Sequence, residues 1–455
     1  STFSLIAPLL PDDAGDIRYQ NLSFKIHVPT SKSGTFSFWG LGASDWSGSS
    51  ADNTPGTWIY NQDRESVESP TKFGVLGLRH RLLLGDHAYL TSTVAASGNG
   101  LSWEIDRYTD DGMTLYRRES VFNESGRLTA RSVLNYSFGP NHSNRTGLTI
   151  NRLGYNQNIR YSHQPESPLQ TVSDEMGSSV LYQGFTQSRF DFGRMVITGG
   201  MYFQHFELTN VTSAEPRIGL QLNHGKNLYS LSYGRHTQIE PLSVYFSHDQ
   251  NRSLNPTKAD HVVLGFSHMV NQHFQIKAET YYQYLSDVPV IDGSSFSLLN
   301  LELDWFISDA LQNSGKGRNY GVELSLERYL YNGWHGLITG SLFQSEYQGG
   351  DGHWRNTRFN RGYTMVFLGG KEWQFRSDER VRFLSVNGRI NLMGGKRISP
   401  VDIQKSQFEK EVYYDENRAF TNQEPAVFYS DLTVELRTIR KKISTVWSLQ
   451  MINIT

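Results

Sequence analysis

The sequence predicts an all-β protein in which residues 1–455 form one transmembrane antiparallel β-barrel. Three observations carry this prediction: strands that alternate between apolar and polar residues, strands longer than those of soluble proteins, and connections that are alternately short and long. Alternation with a period of two places successive side chains on opposite faces of a sheet. One face would then contact lipid, and the other would line a polar interior.

The alternation separates apolar from charged residues along the same strands. Ile276 and Leu324 are typical of the apolar positions, which we expect to contact lipid at mid-membrane depth. The charged positions between such residues are expected to line the barrel interior: Lys277, Glu279, Glu323, Glu327, Asp431, Glu435 and Arg437.

The alternating segments are about as long as membrane-spanning strands, which need about 9–11 residues, whereas soluble strands average about 5–6. We predict strands at residues 2–10, 21–29, 34–43, 71–83, 87–96, 128–138, 145–155, 179–189, 194–206, 216–224, 228–237, 261–269, 273–285, 318–329, 334–347, 359–376, 380–393, 426–438 and 442–454. These are 19 strands, an odd number. Bacterial barrels have even numbers, so we expect an arc of a barrel of about 22 strands.

The connections between these strands fall into two classes. Short turns such as 84–86, 224–226 and 331–333 alternate with long connections. The long ones are predicted at 44–70, 97–127, 156–178, 238–260, 286–317 and 394–425. Outer-membrane barrels combine short periplasmic turns with long extracellular loops in the same way.

Composition excludes several classes of function. The net charge of −2 gives no electrostatic basis for binding nucleic acid. The chain has no cysteine, which removes disulfides and thiolate zinc sites. It also has no apolar run long enough for a transmembrane helix. The 25 Phe, 24 Tyr and 9 Trp instead provide the aromatic residues that favour a membrane–water boundary.

No sequence motif predicts an enzyme, a metal site or a cofactor. The serine-nucleophile elbow, the phosphate-binding loop and the dinucleotide-binding glycine pattern are all absent, as are the H-x-x-x-H and calcium-loop spacings. Acidic residues in the predicted loops are expected to form solvated turns, because Asp favours turn positions. We therefore predict a protein that is not an enzyme.

Aromatic and polar residues in the predicted long loops are the candidate ligand-binding residues. Aromatic rings beside polar groups can enclose a ligand or stack on sugar rings. The candidates are Trp46, Trp58, Tyr60, Trp305, Asp351, His353, Trp354, Tyr413 and Tyr414. The alternative is that the aromatic residues belong to the girdle at the membrane boundary or pack the loops together.

Several segments resemble the TonB-dependent outer-membrane receptors, especially those of Bacteroidota. They include GKGRNYGVELSLER (315–328), RNTRFNRGYTMVFLGGKEW (355–373), LNPTKADHVVLGFSH (254–268) and STVWSLQMINIT (444–455). The resemblance covers most of the chain and corresponds to the barrel portion of these proteins. The plug domain, the TonB-contacting segment and the small N-terminal domain of the family have no counterpart in this sequence.

The resemblance implies a location in the outer membrane of a Gram-negative bacterium and import of a scarce nutrient, such as a siderophore, oligosaccharide or peptide. The implied partners are outer-membrane lipid, the protein's own plug domain, the TonB–ExbB–ExbD energy-coupling complex and a possible surface lipoprotein. The charged interior residues would then contact the plug. The alternative for those residues is a mutually paired, hydrated wall, and the alternative function is a docking barrel within a larger outer-membrane complex.

Overall fold

The structure is a computed structural model that describes residues 16–162, 167–301, 307–377, 380–409 and 412–454. The predicted strand at 2–10 lies outside these residues. The strands, in chain order, are β1 (Asp16–Pro29), β2 (Thr35–Ser49), β3 (Glu65–Leu83), β4 (Ala88–Tyr108), β5 (Leu115–Gly139), β6 (His142–Tyr161), β7 (Gln170–Asp191), β8 (Met195–Phe206), β9 (Val211–His224), β10 (Asn227–Gln238), β11 (Thr257–Asn271), β12 (Phe274–Ile291), β13 (Leu311–Tyr331), β14 (Trp334–Gln348), β15 (Trp354–Asn356), β16 (Tyr363–Ser377), β17 (Arg380–Met393), β18 (Arg397–Ile398), β19 (Asn422–Gln423), β20 (Val427–Arg440) and β21 (Ser444–Met451).

One antiparallel sheet of 19 strands contains all of these except β18 and β19, which pair with each other. Each strand of the large sheet pairs with the next one of that sheet along the chain, except that β14 pairs with both β15 and β16. Among the described residues, β1 pairs only with β2, and β21 pairs only with β20. The predicted all-β fold, with its sequential antiparallel strands, is therefore confirmed.

Each predicted strand from 21–29 onward has a counterpart in this sheet. The sequence did not predict β15, which has only three residues, so the agreement between the two counts of 19 is partly fortuitous. A strand this short carries too few residues to show an alternating pattern.

The predicted long connection at 97–127 is wrong. β4 and β5 have 21 and 25 residues, and only residues 109–114 connect them. At about 3.3 Å per residue, both strands are far longer than a membrane requires. Polar residues dominate this extension and hide its strand character in the sequence, although cross-strand pairs such as Arg117 with Asp106 hold it together.

The two faces of the sheet differ in polarity as the alternation predicted. On the apolar face, Leu264 lies opposite Thr280, and Thr280 lies opposite Val322. Leu264, Val322 and Leu324 are 54%, 51% and 50% exposed, because no protein atoms cover this face. Charged and amide side chains occupy the other face, which lines the interior in a barrel of this class.

Replacing Leu324 with Arg is expected to destabilise the folded barrel in lipid by about 2–4 kcal/mol, because a charge would enter the hydrocarbon at mid-membrane depth. The matched control is Ser325→Arg on the polar face, where the Ser325 hydroxyl lies 3.0 Å from the Thr339 hydroxyl. Reversible folding into lipid vesicles measures both changes. Equal losses for the two variants would mean that the faces are assigned wrongly.

Two short helices occur in the long connections, α1 (Leu242–Phe246) and α2 (Ile403–Glu409). Within the described part of the chain, no helix has the length and apolar character needed to cross a membrane.

Candidate functional site

The long loops meet at one end of the sheet and form a connected layer, which we call the loop layer. It consists of the described parts of residues 50–64, 239–256, 292–310, 349–362 and 394–426. Asn61 Nδ2 donates to the Glu409 carbonyl at 3.4 Å, and Ser294 Oγ donates to Glu416 Oε2 at 3.1 Å. The Asp351 backbone N–H donates to the Ser294 carbonyl at 3.1 Å. Four loops that are distant in sequence are thereby held together.

A small hydrophobic core fixes the loop at 239–256 against the inside of the wall. Tyr245 and Val244 of α1 are 0% and 2% exposed, and they pack with Leu153, Leu181 and Phe206 of β6, β7 and β8. Loop residues therefore cover the inner face of three neighbouring strands. The sequence analysis missed this core, because its members come from separate parts of the chain.

Asn251 joins two of the loops inside this core. Its side chain accepts from the Leu311 backbone N–H at 2.7 Å and donates to the Asp309 carbonyl at 3.2 Å. The residue is fully buried, so these bonds satisfy polar atoms that water cannot reach. The loops at 239–256 and 292–310 thus form one packed unit beside the barrel mouth.

Trp46 lies in β2 and not in a loop, which corrects the predicted location. It lies an even number of residues from Phe36 and Phe38, and therefore on the same apolar face of β2. Its ring lies 5.1 Å from the Arg18 guanidinium carbon. An aromatic ring on this face near the loop end of a strand is typical of the interfacial girdle. A ligand role for Trp46 stays a prediction.

Trp58 and Tyr60 lie in the loop at 50–64, as predicted. Trp58 Nε1 donates to the Asp52 carbonyl at 2.8 Å, and the Arg64 guanidinium carbon lies 5.4 Å from the Trp58 ring. Hydrogen bonds from the backbone N–H groups of Tyr60 and Ile59 lower the pKa of Asp63 in this turn. Trp58 therefore contributes to loop packing, whereas the ring of Tyr60 is 52% exposed and accessible to a ligand.

Asp351, His353 and Trp354 lie close together, but Asp351 already has a partner. Arg355 donates to both of its oxygens, at 2.9 and 2.6 Å, and these bonds lower the pKa of Asp351. The imidazole of His353 lies 3.6 Å from the same carboxylate and is exposed. The Arg318 guanidinium carbon lies 4.5 Å from the Trp354 ring. Of the three predicted residues, His353 has the most accessible polar side chain.

Tyr413 and Tyr414 lie in the loop at 394–426. The Lys405 ammonium nitrogen lies 4.2 Å from the Tyr413 ring, so this ring has a cation neighbour within the protein. Tyr414 is 58% exposed. Trp305 lies outside the described residues. Tyr60 and Tyr414 belong to loops that the Asn61 bond connects, and they are the accessible aromatic candidates of the loop layer.

The predicted charged ladder occupies the polar face, and most of its members have partners. Lys277 lies 3.5 Å from Glu327, Arg389 lies 2.6 Å from Asp431, and Arg437 lies 3.4 Å from Glu372. Contact with a plug domain stays a prediction for these residues.

Glu279 and Glu323 differ from the other members of the ladder. They lie directly opposite each other in the register of β12 and β13. Like charges directly opposite each other on neighbouring strands destabilise the pairing of those strands. Glu435 lies opposite Ser385 in the register.

A buried ionic cluster at the loop end of β3–β5 was also missed. Glu65 Oε1 lies 2.6 Å from Arg107 Nη2 and 3.0 Å from Arg118 Nη1. The three side chains are 7%, 9% and 16% exposed. Register brings them together from three strands, and the sequence spacing of the residues gives no signal of this. The described residues contain no group of three or more side chains arranged to hold a metal ion.

These features define a class of protein: a transmembrane antiparallel β-barrel with a polar interior and a layer of packed loops at one end. Residues 11–449 match the family described as TonB dependent receptor-like, beta-barrel, and the chain belongs to that family. No curated protein matches the sequence.

Three solved structures illustrate the similarity of this fold to known proteins. The ferric-catecholate import receptor Fiu of Escherichia coli K12 is similar with a TM-score of 0.64 at 11% identity, over 97% of this chain and 71% of that chain. The outer membrane transporter YddB of Escherichia coli is similar with a TM-score of 0.64 at 11% identity, over 96% of this chain and 65% of that chain. The siderophore receptor PiuA of Acinetobacter baumannii is similar with a TM-score of 0.62 at 11% identity, over 94% of this chain and 70% of that chain. At this identity, the similarity shows the fold alone.

Proposed function

We propose that the protein is an outer-membrane receptor and transporter of a Gram-negative bacterium that imports a scarce nutrient through a plugged barrel. The observation that carries the proposal is the family match over residues 11–449. The connected loop layer supports it, because such a layer presents exposed aromatic rings above a polar interior. Binding and gated passage need no covalent step, and no sequence motif suggests one.

The substrate would bind the loop layer first and then pass along the polar face. The TonB–ExbB–ExbD complex would supply the energy by rearranging a plug domain inside the barrel. An unplugged barrel of this size would leak, so a plug and an energy source belong to the proposal together. A surface lipoprotein over the loops and a Bacteroidota lineage remain predictions.

A ferric siderophore is the first substrate class to test. Two of the similar structures are named a ferric-catecholate import receptor and a siderophore receptor. Oligosaccharides and peptides are the remaining classes, and loop contacts would distinguish them.

The test is uptake of iron-55 from a ferric catecholate by cells with the full-length gene, its deletion, or single variants. Deletion should abolish TonB-dependent uptake. Tyr60→Ala and Tyr414→Ala should each weaken ligand binding about tenfold, which corresponds to about 1.4 kcal/mol. The matched control is Tyr229→Ala, because Tyr229 is 43% exposed but lies on the apolar face.

Unchanged uptake after deletion, with oligosaccharide and peptide uptake also unchanged, would contradict the transport proposal. Stable copurification with a surface lipoprotein, without any uptake defect, would instead support the docking-barrel alternative.

A further inference from the structure

Four arginines on the polar face of β3, β5 and β6 line depressions in the wall: Arg79, Arg127, Arg131 and Arg145. Arg79 and Arg131 both lie opposite Thr93 in the register, on either side of β4. Asn135, on the same face as Arg131, lies opposite Arg145. All four side chains are exposed to the barrel interior. We call this set the arginine surface.

Within β3–β6, the strands that carry the arginine surface have no carboxylate beside it on the same face. The polar-face positions of β3 from Val67 to Leu83, and of β4 from Tyr89 to Trp103, contain neither Asp nor Glu. The polar-face positions of β5 from 121 to 137 and of β6 from 143 to 157 also contain neither Asp nor Glu. On the opposite part of the wall, by contrast, Arg389 and Arg437 each have a carboxylate partner.

Within the described residues, none of the four arginines forms an ion pair or a side-chain hydrogen bond. Arg145 has one other contact, with its guanidinium carbon 5.6 Å from the Phe185 ring. Adjacent strands are about 4.8 Å apart, so Arg79 and Arg131 are separated by about 10 Å. Exposed charges at this separation, close to the Debye length, still repel. Arginine cannot relieve the repulsion by losing a proton.

Two adjoining depressions in the wall lie over these residues, and Arg131 and Arg145 line both of them. One has a volume of about 610 Å³ and includes Arg79, Trp39 and Tyr89. The other has a volume of about 460 Å³ and includes Arg127. It also includes Arg217 of β9, which already has a carboxylate partner, Glu215, at 2.8 Å. These sizes are typical of small-molecule sites, about 300–1,000 Å³.

We propose that the arginine surface binds a small polyanion that carries carboxylate or phosphate groups. The planar guanidinium presents paired N–H donors that match the two oxygens of a carboxylate or phosphate. Several such groups around a concave wall would hold a molecule with two or more anionic groups. This inference deepens the proposed function, because it places an anionic cargo on the path through the barrel.

The concave shape favours a small molecule over the acidic surface of a protein domain. A flat protein face would contact the rims of the depressions, whereas Thr93, Trp39 and Tyr89 around the arginines provide hydrogen-bonding and stacking contacts below the rim.

The test is isothermal titration of the folded full chain in neutral detergent with citrate and with pyrophosphate, at low and at high sodium chloride. We expect at least one anion to bind at low salt and to bind more weakly at high salt. Arg131→Gln and Arg145→Gln should each weaken binding at least tenfold. The control, Arg389→Gln, makes the same substitution on the same face and should leave binding unchanged.

Heat-modifiable migration in gel electrophoresis confirms that each variant is folded. The proposal is overturned by the absence of binding of both anions at millimolar concentration, or by binding that both arginine variants retain. Binding of a poly-glutamate chain without either small anion would also overturn it. Preference for citrate or for pyrophosphate would assign the carboxylate or the phosphate class.

This measurement is separate from cellular uptake. Anion binding without any uptake defect on deletion would leave the arginine surface intact and reject the transport proposal. Uptake that is lost on deletion, without anion binding by the purified chain, would support the transport proposal and reject the arginine surface as an anion site.

Discussion

Replacing Glu65 with Ala is expected to destabilise the folded chain by about 3–5 kcal/mol, because two largely buried arginines would lose their shared carboxylate. Arg107 Nε donates to Glu65 Oε1 at 2.8 Å, and Arg118 Nη1 lies 3.0 Å from the same oxygen. Burial removes most of the water that could otherwise solvate the two guanidinium groups. The cluster joins three strands, so the loss should be concentrated at the loop end of β3–β5.

The matched control is Glu68→Ala, which removes an exposed carboxylate from the same strand. Exposed carboxylates contribute about 0–1 kcal/mol, so this variant should be nearly neutral. Urea-induced unfolding in lipid vesicles gives the two free energies. A loss below about 1 kcal/mol for Glu65→Ala would show that water or another carboxylate compensates the arginines.

Replacing Tyr245 with Ala is expected to remove about 3–5 kcal/mol from the packing of the loop core, which is the usual cost of deleting a large buried aromatic residue. The ring lies 5.7 Å from that of Phe206, and its hydroxyl accepts from the Glu240 backbone N–H at 3.0 Å. Burial raises the pKa of the Tyr245 hydroxyl, in agreement with a site that excludes water.

Hydrogen exchange of residues 239–256 measures this effect locally, because the loop core can open without unfolding of the sheet. Tyr245→Phe keeps the ring and loses one hydrogen bond, so it should cost only about 1 kcal/mol. Slow exchange in the Tyr245→Ala variant would show that the core does not hold this loop against the wall.

The alternation of side chains was sufficient to predict the sheet and its two faces. Leu324 and Ser325 are neighbours in sequence, and their placement on opposite faces follows from the period of two. The short turns were also predictable, because positions such as Gly225 and Gly333 adopt positive φ angles of 62° and 76°, which favour glycine. The prediction failed at 97–127, where the strands continue beyond the length that a membrane requires.

The candidate loop residues were only partly predictable. Sequence placed Tyr60 and Tyr414 in loops, but it could not show that these loops touch. It placed Trp46 in a loop, although the ladder of β2 continues through that residue. A strand that ends in small and polar residues has the composition of a loop, so only the paired backbone distinguishes the two.

The sequence by itself determined most of the strands, the face that their side chains take and the family that the chain resembles, because these properties depend on neighbours along the chain. Only the tertiary structure decided that Glu65 meets Arg107 and Arg118, that Tyr245 packs against β6–β8, and that the arginines of β3, β5 and β6 come together without an ion-pair partner among the described residues. Each of these depends on the register between strands or on contacts between distant loops. Such contacts form through the pairing of the whole sheet, and no local pattern of residues encodes them.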